Sequence, residues 1–137
     1  MNIDLEKVRN YFKNDLFATG NGIVIDSAAQ DCVVCGMELR KEHRNAAGGV
    51  QGGAIFTLAD FAFAVHCNLA MVCGENVKLT VGQSCSISFL KPTKGNRLTA
   101  TSSCVCKGRN ISVYTIRVTD NLGVVIAEML ANGFTTS

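Results

Sequence analysis

Charge is scarce in this chain. Only 18% of its 137 residues are Asp, Glu, Lys or Arg, and thirteen cations against eleven anions leave a net charge of +2. That balance lacks the basic footprint that nucleic acid or an anionic membrane surface selects, so neither is expected as a partner and function is expected to lie in a local site. There is one Pro and no Trp, and with 47% apolar residues the composition argues against disorder. The opening segment MNIDLEKVRN is polar, with no signal-peptide pattern, and a reducing cytoplasm is the expected setting. At this length one domain, residues 1–137, can bury a sizeable core without disulfide staples.

Cysteine, by contrast, is plentiful. Seven is an odd number, and the spacing does not resemble a disulfide framework. Cys32 and Cys35 form a CxxC inside DCVVCGMELR, which reads as a strand, where a spacing of three sends the thiols to opposite faces and disfavours a shared zinc. Cys104 and Cys106 are expected to share a face as small buried hydrophobes.

Leu5, Val8, Phe12 and Leu16 recur at helical spacing and predict an amphipathic helix over 4–16, broken by Gly20, Asn21 and Gly22. Two strand-like runs follow, GIVIDSA and CVVCGMELR, and then a polar, glycine-containing loop over 42–49. Gln51–Val72 is rich in Ala, Leu and Phe, without Pro, and predicts one long helix. Because it is apolar on nearly every side it must be surrounded, and Asp60, His66 and Asn68 within it favour protein over lipid. Period-two alternation from Val77 to Phe89 predicts a half-buried strand, and three more are expected over 97–107, 111–119 and 124–134, the four forming a meander. The fold class is α+β, a curved antiparallel sheet wrapping one central helix.

A carboxylate in the middle of such a helix is costly unless paired or used, which singles out Asp60. A structural Asp bonded to a neighbouring loop or to Asn68 is the simpler alternative. The residues before it favour use: Asn45, Gly48, Gln51, Gly52 and Gly53 bring a loop into the helix start, where backbone N–H groups and the positive end of the dipole suit an oxygen gaining negative charge. Gly52 and Asp60 are eight residues apart, roughly 12 Å along one helix. They cannot both touch one carbonyl, so a site made of both needs two chains, as in an isologous dimer with antiparallel central helices. One carboxylate and a helix N-terminus, without a metal cluster, a Ser–His pair or a dinucleotide loop, suit hydrolysis of a thioester, whose thiolate leaves without strong acid assistance. An Asp with an ordinary pKa is already ionised at neutral pH, and general base and nucleophile are both open to it.

The string NAAGGVQGGAIFTLADFAFAVHCN resembles the signature of the phenylacetic-acid-type hot-dog acyl-CoA thioesterases, N-x-x-G-x-x-[H]-G-G followed by a helix carrying L-A-D. The likeness continues through FLKP, the KGRN turn and the final strands, from Gly22 onward. It implies a hot-dog fold and a dimer whose two sheets join, usually assembled into a tetramer. The activity implied is on acyl-CoA or aryl-acyl-CoA, with no cofactor beyond the CoA of the substrate. By position it implies Asp60 as the catalytic carboxylate, the Gly52 amide as the oxyanion donor and Asn45 as the loop amide that positions the thioester. Gln51 and Gly53 fall beside them, and Gly82 falls where some relatives carry Ser or Thr, with Thr80 and Ser84 expected on the same face. Lys107, Gly108 and Arg109, otherwise a solvated hairpin tip, become candidates for the CoA phosphates through two cations and open backbone. Gln51 departs from the usual His: an amide can position, but it cannot titrate.

Phe61, Phe63 and His66 read as packing. The Gln51 departure motivates an alternative, a non-catalytic acyl-CoA-binding module. A hydratase would need an acid/base pair with Asp60, whereas His66 lies on nearly the opposite side of the helix. A purely structural protein leaves Asp60 unexplained.

Overall fold

The computed structural model describes residues 1–137. Helix α1 (Leu5–Phe12) begins at Asp4, whose Oδ1 accepts from the Glu6 and Lys7 N–H groups at 3.1 and 3.3 Å. The expected continuation to Leu16 does not occur. Asp15 caps a second helix, α2 (Leu16–Gly20), by accepting from the Ala18 N–H at 3.0 Å. A fresh cap restarts the helix in a new phase, so Leu16 and Phe17, 78% and 72% exposed, leave the face that Val8 and Phe12 bury.

Strands β1 (Ile23–Ala29) and β2 (Cys32–Glu38) form a hairpin around Gln30 and Asp31. The central helix α3 runs Gly52–Cys67 and a short α4 covers Leu69–Val72. The break at Asn68, inside the run expected to be one helix, has a cause. Asn68 Nδ2 donates to the carbonyls of Ala64 and Thr80 (both 3.0 Å) and Oδ1 accepts from the Thr80 N–H at 2.8 Å, fastening the next strand to the helix end. Asn68 therefore partners Thr80, not Asp60. Replacing it with Ala strips the partners from the buried Thr80 N–H and C=O; at about 1–3 kcal/mol for each unmet group, chemical denaturation is expected to show a loss of about 2–6 kcal/mol with an unchanged m-value.

Strands β3 (Thr80–Phe89), β4 (Arg97–Lys107), β5 (Ile111–Asp120) and β6 (Val125–Thr135) complete one antiparallel sheet in the order β1-β2-β4-β5-β6-β3. The expected four-strand meander is corrected: β4-β5-β6 is a meander, but β3 crosses over to pair with β6. The seven residues between β3 and β4 can span roughly 23 Å, more than the roughly 14 Å of three inter-strand steps, so a segment that reads as a turn serves as a crossover. It leaves β3 as a sheet edge.

Two bulges overturn the simple alternation. Between Gly82 and Ser84 the pairing advances two residues on β3 for one on β6, so Thr80, Gly82, Cys85, Ile87 and Phe89 face the helix side while Ser84 turns away with Asn132. Ser84 therefore does not share the face of Gly82, although Thr80 does. Val77 and Leu79 precede the strand, and Val81 is 50% exposed. On β4, Cys104 pairs with Tyr114 and Cys106 with Val113, which puts the two thiols on opposite faces, both exposed rather than buried.

Helix α3 contacts all six strands, and 26 buried residues form one core cluster around it. A six-stranded antiparallel sheet around one helix is the hot-dog fold. No helix is long and apolar enough to cross a membrane.

Candidate active site

The loop before α3 is tied at its neck. The Gln51 N–H donates to the His43 carbonyl at 2.7 Å, Arg44 bridges Val50, and the Asn45 N–H donates to the Gly49 carbonyl at 2.7 Å. Gly48, at φ +86°, supplies the left-handed step that closes the turn. His43 is buried, and its Nδ1 accepts from the Arg40 N–H at 3.0 Å, which fixes the proton on Nε2. Burial and the neighbouring Arg40 cation hold its pKa below the ordinary histidine value, so it serves as a neutral support. Nothing in the residue pattern around His43 signals this role.

Within the loop, Asn45 Oδ1 accepts from the N–H groups of Ala47 and Gly49, each at 3.0 Å. Both bonds use the oxygen, so the Asn45 amide is oriented with its Nδ2 hydrogens left for a ligand. Asn45 and Gly52 line one cleft of ≈ 390 Å³ with Val50, Ile55, Phe89 and Lys91. Gly52 is the first residue of α3, and a Cβ there would stand 3.2 Å from the Phe89 ring. Gln51 Oε1 accepts from the Gly52 N–H at 3.2 Å.

Asp60 lies two turns along and lines a different cleft, of ≈ 530 Å³, with Phe56, Cys67, Gly82, Gln83, Cys85 and the expected Thr80 and Ser84. In the single chain it is half-buried, not enclosed, because Phe56, Asp60, Ala64 and Cys67 recur at helical spacing on the one stripe of α3 that no strand covers fully. Burial first, then the Asp15 charge at the start of α2, raises its pKa above the usual carboxylate value, and no hydrogen bond offsets this. The ordinary pKa expected of it is thereby corrected. The two thiols that share its cleft are held toward the protonated form: burial pushes Cys67 up to about 12 and raises Cys85, each further disfavoured as thiolate by the Asp60 charge. Phe56 and Cys67 could have been found from their spacing to Asp60. Gln83 and Cys85 could not, because the bulge that places them leaves only Gly82 as a cue.

A protein-family model described as the thioesterase superfamily matches residues 47–127, a span holding Gly52, Asp60 and β3. The chain belongs to this family. Over 117 residues it is 32% identical to the acyl-coenzyme A thioesterase PaaI of Escherichia coli K12, covering 85% of this chain and 79% of that protein. It is 29% identical over 108 residues to human acyl-coenzyme A thioesterase 13, covering 77% and 74%. The solved structure of the E. coli PaaI protein, from a phenylacetic acid degradation operon, superposes with a TM-score of 0.85 at 27% identity, covering 97% of this chain and 96% of that one. The expected hot-dog thioesterase of the PaaI kind is thus shown, and the protein is a thioester hydrolase.

This thioesterase keeps some expected residues apart. The backbone at Gly108 is not open, since its N–H donates to the Ile111 carbonyl at 2.8 Å. Lys107 pairs with the buried Ser112, so it points to the helix side, into a separate cleft with His66, Cys104 and Tyr114, while Arg109 sits at the hairpin tip. His66 is buried against Ser102 Oγ and the Gln30 carbonyl, each 2.9 Å away, a packing role as its place in the sequence suggests. Gly82 leaves ordinary contact distance, 3.5 Å, between a Cβ and Phe63, so the missing hydroxyl there is not forced by space.

Proposed function

We propose that this thioesterase hydrolyses an acyl-CoA or aryl-acyl-CoA to the free acid and CoA at a site completed by two copies of the chain. One observation carries the reading: the oxyanion donors and the carboxylate line separate clefts two turns apart on α3. The surface between them is unfinished in one chain. Strand β3 is a sheet edge with Val81 and Phe89 about half exposed, and the α3 stripe bearing Asp60 is partly bare beside it. An isologous pair, with β3 strands adjoining and α3 helices antiparallel, brings the Gly52 cleft of one copy against Asp60 of the other. Further assembly to a tetramer, and a cytoplasmic setting that keeps the seven cysteines free, belong to the same proposal.

In this site the thioester carbonyl takes hydrogen bonds from the Gly52 N–H and Asn45 Nδ2. Asp60 attacks the carbonyl carbon itself or removes a proton from the water that does so, and the tetrahedral oxyanion is held by the two donors. Collapse expels the CoA thiolate, which takes up a proton. Direct attack leaves a mixed anhydride on Asp60, which mass spectrometry of rapidly quenched enzyme detects; general-base catalysis leaves Asp60 unmodified. Gln51 and Gly53 border the donors, and Lys107 and Arg109 supply cations for the CoA phosphates from two directions rather than as one clamp.

Because Asp60 must be ionised, activity is lost as pH falls through its pKa, and the raised value places that loss above the ordinary 3.8. Asp15→Asn removes the like charge yet keeps a capping side chain on α2. The acid limb of kcat/KM is expected to move to lower pH in this variant; an unmoved limb contradicts the coupling. Thiol release from a panel of short, medium and aryl acyl-CoA esters tests the activity and sorts its substrate class.

A further inference from the structure

Gln51 stands one residue before the proposed oxyanion donor, and its side chain does something unusual for a helix N-cap. A capping side chain ordinarily accepts from the second or third N–H of the helix. Here Oε1 accepts from the first, that of Gly52, at 3.2 Å, while the Gln51 backbone carbonyl takes the Ala54 and Ile55 N–H groups at 3.0 and 3.3 Å. The Gly53 N–H, which a conventional cap would take, has no partner in the chain. The carboxamide lies over the open side of the helix start, with Gln51 Cγ 3.9 Å from where a Gly53 Cβ would be.

We propose that Gln51 is a self-blocking residue: its side-chain carbonyl occupies the Gly52 N–H in the resting enzyme, and the thioester carbonyl must displace it before the oxyanion donor can act. The inference rests on the reading of Gly52 as that donor and adds a regulation of the same site. The block is soft. A glutamine folded back onto its own next amide gives up rotamer freedom for one neutral hydrogen bond, so a carbonyl delivered by a bound substrate can replace it. The resting enzyme is then divided between blocked and open forms, and apparent affinity for substrate is reduced by the open fraction. The block needs an acceptor within reach of the Gly52 N–H, and the Gln51 carboxamide oxygen supplies it without a charge.

Steady-state thiol release by wild type, Gln51→Ala, Gln51→Met and Gln51→Glu tests this, with Asp60→Asn run alongside. Met keeps the length and loses the acceptor, which covers the case in which Ala disturbs folding. Ala and Met are expected to raise kcat/KM about two- to tenfold, the range that release of one neutral hydrogen bond allows, with the gain carried by a lower KM. Glu sets a charged acceptor against the donor and repels the oxyanion, and is expected to lower kcat/KM at least tenfold. A KM that stays level or rises in both Ala and Met overturns the block, even if melting temperature falls as loss of a cap would cause. Full activity in Asp60→Asn instead overturns the active-site reading beneath it, so the two failures are told apart.

Discussion

Asp60→Asn is expected to lower kcat for thiol release by roughly three orders of magnitude, whichever acyl group serves best, because an amide can neither accept a proton from water nor attack the thioester. The shape change is minimal, and the variant has reason to fold at least as well as wild type. The Asp60 carboxylate has no hydrogen bond or ion pair within the chain, and its raised pKa states that burial disfavours its charge. Removing that charge is expected to leave the melting temperature level or higher at neutral pH. Loss of activity with retained stability is the pattern of a residue kept for chemistry, since a structural Asp would lose both. A thermal melt beside the kinetic assay reads the two together.

Gly52→Pro is expected to lower kcat by about a hundred- to a thousandfold, the cost of removing one oxyanion donor. Proline suits this position. Gly52 opens α3, where a missing N–H breaks no helical bond, and Gln51, at φ −63° and ψ 132°, already has the extended conformation that precedes proline. The ring must fit beside Phe89, which stands 3.2 Å from where a Cβ would be, so circular dichroism and a melt accompany the measurement. Gly52→Ala meets the same Phe89 contact but keeps the N–H, and its activity is expected to stand well above that of the proline variant. Equal loss in both would assign the effect to packing rather than to the donor.

Much of this was legible in the residues because the strongest signals agree. An apolar helix with one carboxylate, entered through a glycine-bearing loop, singles out Gly52, Asn45 and Asp60 as candidates, and a site made of both Gly52 and Asp60 calls for a second chain. What escaped was set by single-residue events and by pairing between distant segments. One extra residue near Gln83 reverses the alternation of β3, so Ser84 leaves the face of Gly82 and Cys85 takes it, although both border the Asp60 cleft. The same event on β4 separates Cys104 from Cys106. No periodicity reports a bulge in advance. The segment from Leu90 to Asn96 suits a hairpin as well as a crossover, so only the register shows β3 beside β6. Asp15 and Asp60 come from different helices, and the pKa that their proximity and burial produce has no trace in spacing.

The claim of a site shared between two chains is met most directly by mixing the two inactive variants. Asp60→Asn and Gly52→Pro are refolded together in equal amounts, heterodimer formation is checked by native mass spectrometry, and thiol release is measured against each parent alone. In a shared site, every heterodimer has one defective site carrying both changes and one intact site. With half the dimers mixed, activity is expected to recover to roughly a quarter of wild type. Heterodimers that form and yet release thiol no faster than their parents would show that Gly52 and Asp60 do not meet across the interface.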